Sequence, residues 1–283
     1  MLIILLNNIK DNLINYFTNY EKDFTLNAGT DISHHTPQQF TSSKSESEPV
    51  SIIRTLLLLV VIFLGSSILS GFIFGIYFGV VQEAEFEQAA FDIWFEQIPV
   101  LLCFTILTSF FSLLTVISAT KGNTWSQRFD YWALKAISKK ELFKWLLVIC
   151  IFWLVTGAIA ELLNIPDEPF MNELMSASNS VAVNLLIIVS ICFVAPIVEE
   201  VVFRGWLYTR IEQSKIASIG AIIVTSILFT LIHTQYEQAY SFLMLLIFGY
   251  VLAWVRYKTN NISYSIAMHF VYNALTIAVI FLF

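Results

Sequence analysis

Seven stretches of the chain, near 52–80, 98–119, 143–163, 181–209, 217–234, 238–256 and 262–282, are apolar for most of their length. A run of about 20 such residues crosses a bilayer as a helix. In hydrocarbon only a helix or a closed barrel satisfies its own backbone. Over 283 residues the chain is 57% hydrophobic and only 13% charged, roughly half the charged share of a soluble domain. The expected fold is therefore all-α, a polytopic transmembrane helix bundle of seven or eight spans. Residues 1–20 read as a short amphipathic helix that lies on the membrane or dips into it as the eighth. Residues 21–50, rich in Ser, Thr, Gln and Glu, read as a disordered cytoplasmic tail.

Several features carry no chemistry. His34 and His35 fall in the polar tail, without a metal-binding pattern. Cys103, Cys150 and Cys192 sit in apolar runs at spacings that suit neither disulfides nor zinc, and read as small buried hydrophobes. The N-terminus has no basic region ahead of an apolar core, so the first span serves as the insertion signal. With a net charge of -6, nothing points to a nucleic-acid partner; the lipid bilayer is the implied surroundings.

Orientation follows from the distribution of Lys and Arg. Lys10, Lys22, Lys44 and Arg54 precede or open the first run, and 120–144 carries Lys121, Arg128, Lys135, Lys139, Lys140 and Lys144. Arg210 and Lys215 lie between runs four and five, and Arg256 and Lys258 follow run six. The alternate connections, 81–97, 164–180 and the one after His233, hold acids and no base. The N-terminus is thus expected in the cytoplasm and the C-terminus outside, with the chain integral to a membrane. Its Asn/Ile/Lys-flavoured composition and short loops suit a bacterial cell membrane.

Ionisable groups inside a membrane cost about 3 kcal/mol or more each and mark function. Run four holds Glu199, Glu200 and Arg204; runs five and seven hold His233, His269 and Asn273. Helical rise places Glu199 about 16 Å from the cytoplasmic end of its run, His233 about 22 Å and His269 about 16 Å. Three helices therefore bring polar groups to similar depth, where one shared pocket would satisfy them together. Glu200 and Arg204 are spaced i,i+4 and can pair. Glu199 points about 100° away, free for chemistry. His269 and Asn273 also share a face, as do Phe229 and His233. Taken alone, the Glu200–Arg204 pair is equally an internal staple between helices.

A glutamate and a histidine can bind and deprotonate a water, and a histidine with an asparagine amide can donate to an oxyanion. That is a set of parts for peptide-bond hydrolysis. Glu199, His233 and His269 could equally ligate zinc and leave a fourth position for water. The sequence contains no H-E-x-x-H for a helical zinc protease and no G-x-G-D for an aspartyl type. The segment L-G-S-S-I-L-S-G at 64–71 is not G-x-S-G and reads as a close helix contact.

Three boxes then fall in order on separate helices: E-E-V-V-F-R at 199–204 fits E-E-x-x-x-R, F-T-L-I-H at 229–233 fits F-x-x-x-H, and H-F-V-Y-N at 269–273 fits H-x-x-x-N. In these the chain resembles the CAAX-protease and bacteriocin-processing (CPBP, or Abi) intramembrane endopeptidases, relatives of the CAAX prenyl endopeptidase. The resemblance implies that Glu199 is the catalytic glutamate, His233 its water-activating partner, and His269 with Asn273 the oxyanion pair. Glu200, Arg204 and Phe229 would support the site. The family has been described both as metalloproteases and as metal-independent glutamate proteases. No cofactor is favoured; the Asn beside His269 suits an oxyanion donor better than a ligand. The chain would divide into the tail 1–50, two spans in 51–120 and a protease core over 121–283. Its partner would be a membrane protein or peptide substrate, in bacteriocin or peptide-signal maturation or self-immunity. Two other classes compete: a non-catalytic membrane scaffold or immunity partner, and a small ion-relay transporter. The absence of inverted repeats counts against the transporter.

Overall fold

The computed structural model describes residues 51–81, 87–214 and 216–282, and among these the chain is helical, without a strand. Six helices are long and apolar enough to cross a membrane: α1 (Ile52–Val81), α3 (Ile98–Ala119), α5 (Lys139–Leu162), α7 (Val181–Glu212), α9 (Ala239–Thr259) and α10 (Ile262–Leu282). The shorter apolar helix α8 (Ala217–Leu231) lies between α7 and α9. Three short helices cap the ends: α2 (Gln88–Phe95), α4 (Trp125–Trp132) and α6 (Pro169–Ala177). The chain is a polytopic helical bundle and an integral membrane protein. The surface helix expected over 1–20, the tail over 21–50 with His34 and His35, and Lys215 lie outside the described residues.

The fifth apolar run forms a shorter helix than its extent in the sequence suggests. Among the described residues six helices have the length, and the fifth apolar run makes a helix of 15 residues. Such a helix rises about 22 Å, short of a hydrocarbon core of about 30 Å. It stops because the His233 N–H turns back to the Thr230 carbonyl at 3.1 Å, a tighter closure that ends the helical ladder. The chain then crosses 232–238 without helix, and this irregular stretch lines the cavity that also holds Glu199, His269 and Asn273, where such backbone is tolerated.

Helix α7 is the axis of the bundle. Residues 201–211 are buried without interruption, so this segment is packed on all sides rather than on one stripe. Its 32 residues include two π-helical segments, Ile188–Val194 and Val201–Leu207, which bracket the Glu199–Glu200 pair. Single-turn π segments inside α-helices gather at functional sites.

Polar contacts close both ends of the bundle. At the basic end Arg210 Nε donates to Thr55 Oγ1 (3.0 Å), Thr209 Oγ1 to the Tyr131 carbonyl (3.1 Å) and Ile262 N to the Ala133 carbonyl (2.9 Å). At the acidic end the buried Glu168 carboxylate accepts from the Glu237 N–H and the Ser241 hydroxyl. Gln238 Nε2 donates to the carbonyls of Pro166 (2.8 Å) and Asp167 (2.9 Å).

Packing at the axis is tight enough to test. A Cβ on Gly205 would meet Trp132 Cβ at 3.1 Å and Cγ at 3.3 Å, and Trp132 is held by its Nε1 donating to Thr120 Oγ1 at 2.8 Å. Gly205→Val is expected to destabilise the protein by about 1–3 kcal/mol, read as an earlier thermal unfolding transition in detergent.

Candidate active site

Two side chains of the site, Asn273 and His233, are placed by backbone carbonyls that a helix leaves unsatisfied. The π segment Ile188–Val194 closes with the Ala195 N–H on the Ser190 carbonyl. The next acceptor in that i→i+5 register, the Ile191 carbonyl, would need an N–H from residue 196. That residue is Pro196 and has none. Asn273 Nδ2, from α10, donates to this carbonyl at 2.8 Å. One proline therefore creates an orphan acceptor in α7, and one asparagine from another helix fills it.

His233 is placed by the same logic. The Phe229 carbonyl loses its usual i+4 amide, because the His233 N–H goes to Thr230. The His233 ring takes over, with Nδ1 2.6 Å from the Phe229 oxygen. A carbonyl can only accept, so Nδ1 carries the proton and Nε2 keeps a lone pair when the ring is neutral. His269 Nδ1 lies 3.1 Å from Glu200 Oε1, and a carboxylate partner assigns the proton to Nδ1 again. Both Nε2 atoms face Glu199 Oε2, at 4.0 Å for His233 and 3.7 Å for His269.

Glu200 and Arg204 form the i,i+4 pair at 2.8 Å, both fully buried. Arg204 Nη2 also donates to the Gly249 carbonyl (2.9 Å), and its guanidinium lies 4.4 Å from the Phe229 ring centroid. Phe229 in turn sits 4.6 Å from the His233 ring and 5.9 Å from the His269 ring. Glu199 Oε2 is buried and has no hydrogen-bond partner among the described residues. Two imidazoles and one carboxylate oxygen thus converge with acceptors facing one another, an arrangement that calls for a shared donor.

Zinc can be tested against this geometry. Bonds of about 2.0–2.2 Å in a tetrahedron put ligand atoms about 3.4 Å apart. The spacings of 3.7 and 4.0 Å are wider. Among the described residues no group of three His, Cys, Asp or Glu side chains is arranged to hold a metal ion. The set as built does not fit zinc.

The three converging groups and Asn273 line a cavity of about 650 Å³. Its walls extend to Tyr236 and Glu168, two residues that no motif or spacing singles out. The Tyr236 ring lies parallel to His233 at 6.2 Å. Burial pushes the Tyr236 phenol up, with the Tyr272 phenol and the carboxylates of Glu199 and Glu168 adding to the effect, so its hydroxyl stays protonated. Tyr236 follows His233 by three residues, but past the helix end that spacing carries no facing rule.

A half-buried glutamate between two oriented imidazoles at the wall of a membrane cavity defines a class of protein, the polytopic membrane proteins with an intramembrane polar centre. Comparison with known proteins narrows the class. Residues 181–275 match the family model for Rce1-like proteins, described as type II CAAX prenyl endopeptidase Rce1-like. The matched residues include Glu199, Glu200, Arg204, Phe229, His233, His269 and Asn273, so over this third of the chain the match supports a relation to the CAAX prenyl endopeptidase (CPBP) family. An uncharacterized 24.3 kDa protein of Escherichia coli is 29% identical over 113 residues, 39% of this chain and 51% of that protein. The UPF0177 protein YxdF of Lactococcus lactis is 27% identical over 140 residues, 48% of this chain and 75% of that protein. The match thus spans about half the length of the first relative and three quarters of the second. No solved structure matches.

The Asn273 contact makes a specific prediction. Asn273→Ala leaves the Ile191 carbonyl buried without a donor and is expected to cost about 1–3 kcal/mol. Adding Pro196→Ala returns an N–H to the i→i+5 position. Thermal unfolding of the double variant should therefore recover part of the loss that the single variant shows.

Proposed function

We propose that the protein is an intramembrane endopeptidase that hydrolyses peptide bonds of a membrane-associated protein or peptide, with Glu199 as general base. The convergence of Glu199 Oε2 with the Nε2 atoms of His233 and His269, at 4.0 and 3.7 Å, is the observation that supports this reading most. A water between these three acceptors can donate one O–H to Glu199 and the other to an imidazole. Its lone pair then faces the cavity. Glu199 takes a proton as the water oxygen attacks the scissile carbonyl carbon. The carbonyl π electrons move to oxygen, which becomes the oxyanion. When the C–N bond breaks, Glu199 returns the proton to the leaving amine.

Donors for the oxyanion come from α10. Asn273 has two amide N–H groups and gives one to Ile191, so the other serves the cavity. His269, with Nδ1 held by Glu200, presents Nε2 to the same space and donates there when protonated. Glu200 and Arg204 are positioning residues, acting through His269 and the ring of Phe229. With zinc not fitting the ligand spacing, this glutamate mechanism needs no metal step.

The basic end of the bundle faces the cytoplasm on this reading, so the N-terminus lies inside and the C-terminus outside. The cavity then communicates with the outer side through the connections around Glu168 and Tyr236. A substrate of peptide-maturation or immunity type suits that placement.

N-terminal peptide enrichment of membranes, from cells carrying the intact chain or its variants, tests the proposal. Glu199→Ala and His233→Ala should each lower the yield of the new N-termini by at least ~100-fold with protein levels unchanged. If both variants produced the same N-termini as the intact chain, a scaffold or immunity role would replace catalysis.

A further inference from the structure

The basic end of the bundle carries a surface that the reaction does not use. Helix α4 (Trp125–Trp132) is pinned across this end by its inner face. Trp132 is 3% exposed and bonded to Thr120, Thr209 Oγ1 donates to the Tyr131 carbonyl, and the Ala133 carbonyl accepts from Ile262. A capping box at Thr124 and Gln127 closes its start, and Ala133 in a left-handed conformation closes its finish. The helix cannot roll to hide its outer face. That face presents Trp125 and Phe129, one turn apart, at 54% and 39% exposure with ring centroids 5.9 Å apart.

Cations frame these rings. The Arg128 guanidinium lies 5.4 Å from the Trp125 ring centroid, and its Nε is buried without a partner among the described residues. At the same end Lys258 stacks over Trp254 (4.7 Å) and Tyr257 (5.7 Å), both rings partly exposed. Arg54, Lys121, Lys135, Lys139 and Lys140 are exposed here, and among the described residues one lysine of this end forms an ion pair, Lys144 with Glu141 at 3.5 Å. Asp130, Glu141 and Glu212 are the acids of this end among the described residues. Among the described residues the opposite end, by contrast, carries Glu87, Asp92, Glu96, Glu161, Asp167, Glu168, Glu173 and Glu237 with no Lys or Arg.

Exposed aromatic rings set among cations suit one surface above others. Trp and Tyr settle at the headgroup level of a bilayer, with the ring among the upper acyl chains. Unpaired Lys and Arg beside them attract anionic headgroups within about a Debye length. We propose that α4 and the basic segments flanking it form an interfacial seat that collects anionic phospholipid around this end of the bundle. Trp125 and Phe129 enter the acyl region, while Arg128, Lys135, Lys139 and Lys140 hold the phosphates. The seat rests on the membrane embedding alone, independently of the proposed proteolysis.

Reconstituted full-length protein tests this directly. Bilayers of phosphatidylcholine with about 30 mol % phosphatidylglycerol are prepared with bromine high on the acyl chains of one lipid or of the other. Tryptophan quenching is measured, and the difference between the intact chain and Trp125→Phe isolates the signal of Trp125. Brominated phosphatidylglycerol should quench that signal at least ~2-fold more, per mole of lipid, than brominated phosphatidylcholine. The preference should vanish in the triple variant Lys135→Gln, Lys139→Gln, Lys140→Gln and shrink at high salt. Equal quenching by the two lipids overturns the selectivity, and no quenching by either overturns the interfacial placement of α4.

Discussion

One fully buried ion pair ties the four helices of the centre together. Glu200 and Arg204 meet at 2.8 Å with neither side chain exposed. In so dry a place a charge is tolerable only when it is paired and hydrogen-bonded. Arg204 meets Glu200 on α7 through Nη1 and the Gly249 carbonyl on α9 through Nη2, with its face on the Phe229 ring of α8, while its Nε and Glu200 Oε2 are buried without a hydrogen-bond partner among the described residues. Glu200 completes the set by holding His269 on α10. The approach of α9 needs a residue without a side chain. A Cβ on Gly249 would stand 3.3 Å from Phe229 and 3.5 Å from Arg204 Nη2. Removing one charge would strand the other, so the pair holds the arrangement even if its net contribution to stability is small.

The pair also explains why two adjacent glutamates behave differently. Consecutive residues on a helix point about 100° apart. Glu200 faces Arg204 and the buried axis, where its charge is matched. Glu199 faces the cavity and two imidazoles whose protons are already committed elsewhere, to Phe229 and to Glu200. The same residue type thus becomes a counter-ion at one position and an unsatisfied acceptor at the next. Environments that drive like groups apart in this way are how one fold supplies both supports and reactive groups.

Much of this could be read from the sequence because it follows fixed spacings. Apolar run length gave the bundle, the i,i+4 steps gave Glu200–Arg204, Phe229–His233 and the shared face of His269 and Asn273, and similar depth pointed Glu199, His233 and His269 to one pocket. The parts that could not be read break the regular helix on which such arithmetic rests. Two π segments change the phase of α7, and the orphaning of Ile191 by Pro196 appears only once that phase is known. Helix α8 ends early through one altered amide contact, which no apolar count reveals. The Glu168 contacts to Glu237 and Ser241 join positions about seventy residues apart, and polar pairs at that separation leave no periodic trace.

Charge and site geometry also constrain one another. Among the described residues every Lys and Arg except Arg204 lies at one end of the bundle, while the cavity reaches the other end through the segments around Glu168 and Tyr236. The proposed hydrolysis would need water within the membrane, and water follows polar backbone. The non-helical 232–238 stretch and the 164–168 connection supply such backbone at the cavity wall. The shortness of α8 is therefore more than an irregularity. Had that helix continued for two further turns, its ladder would have consumed the Phe229 carbonyl that orients His233 and walled the cavity with satisfied backbone. The early stop both frees the acceptor that sets the histidine and opens the polar route by which the proposed reaction would be supplied.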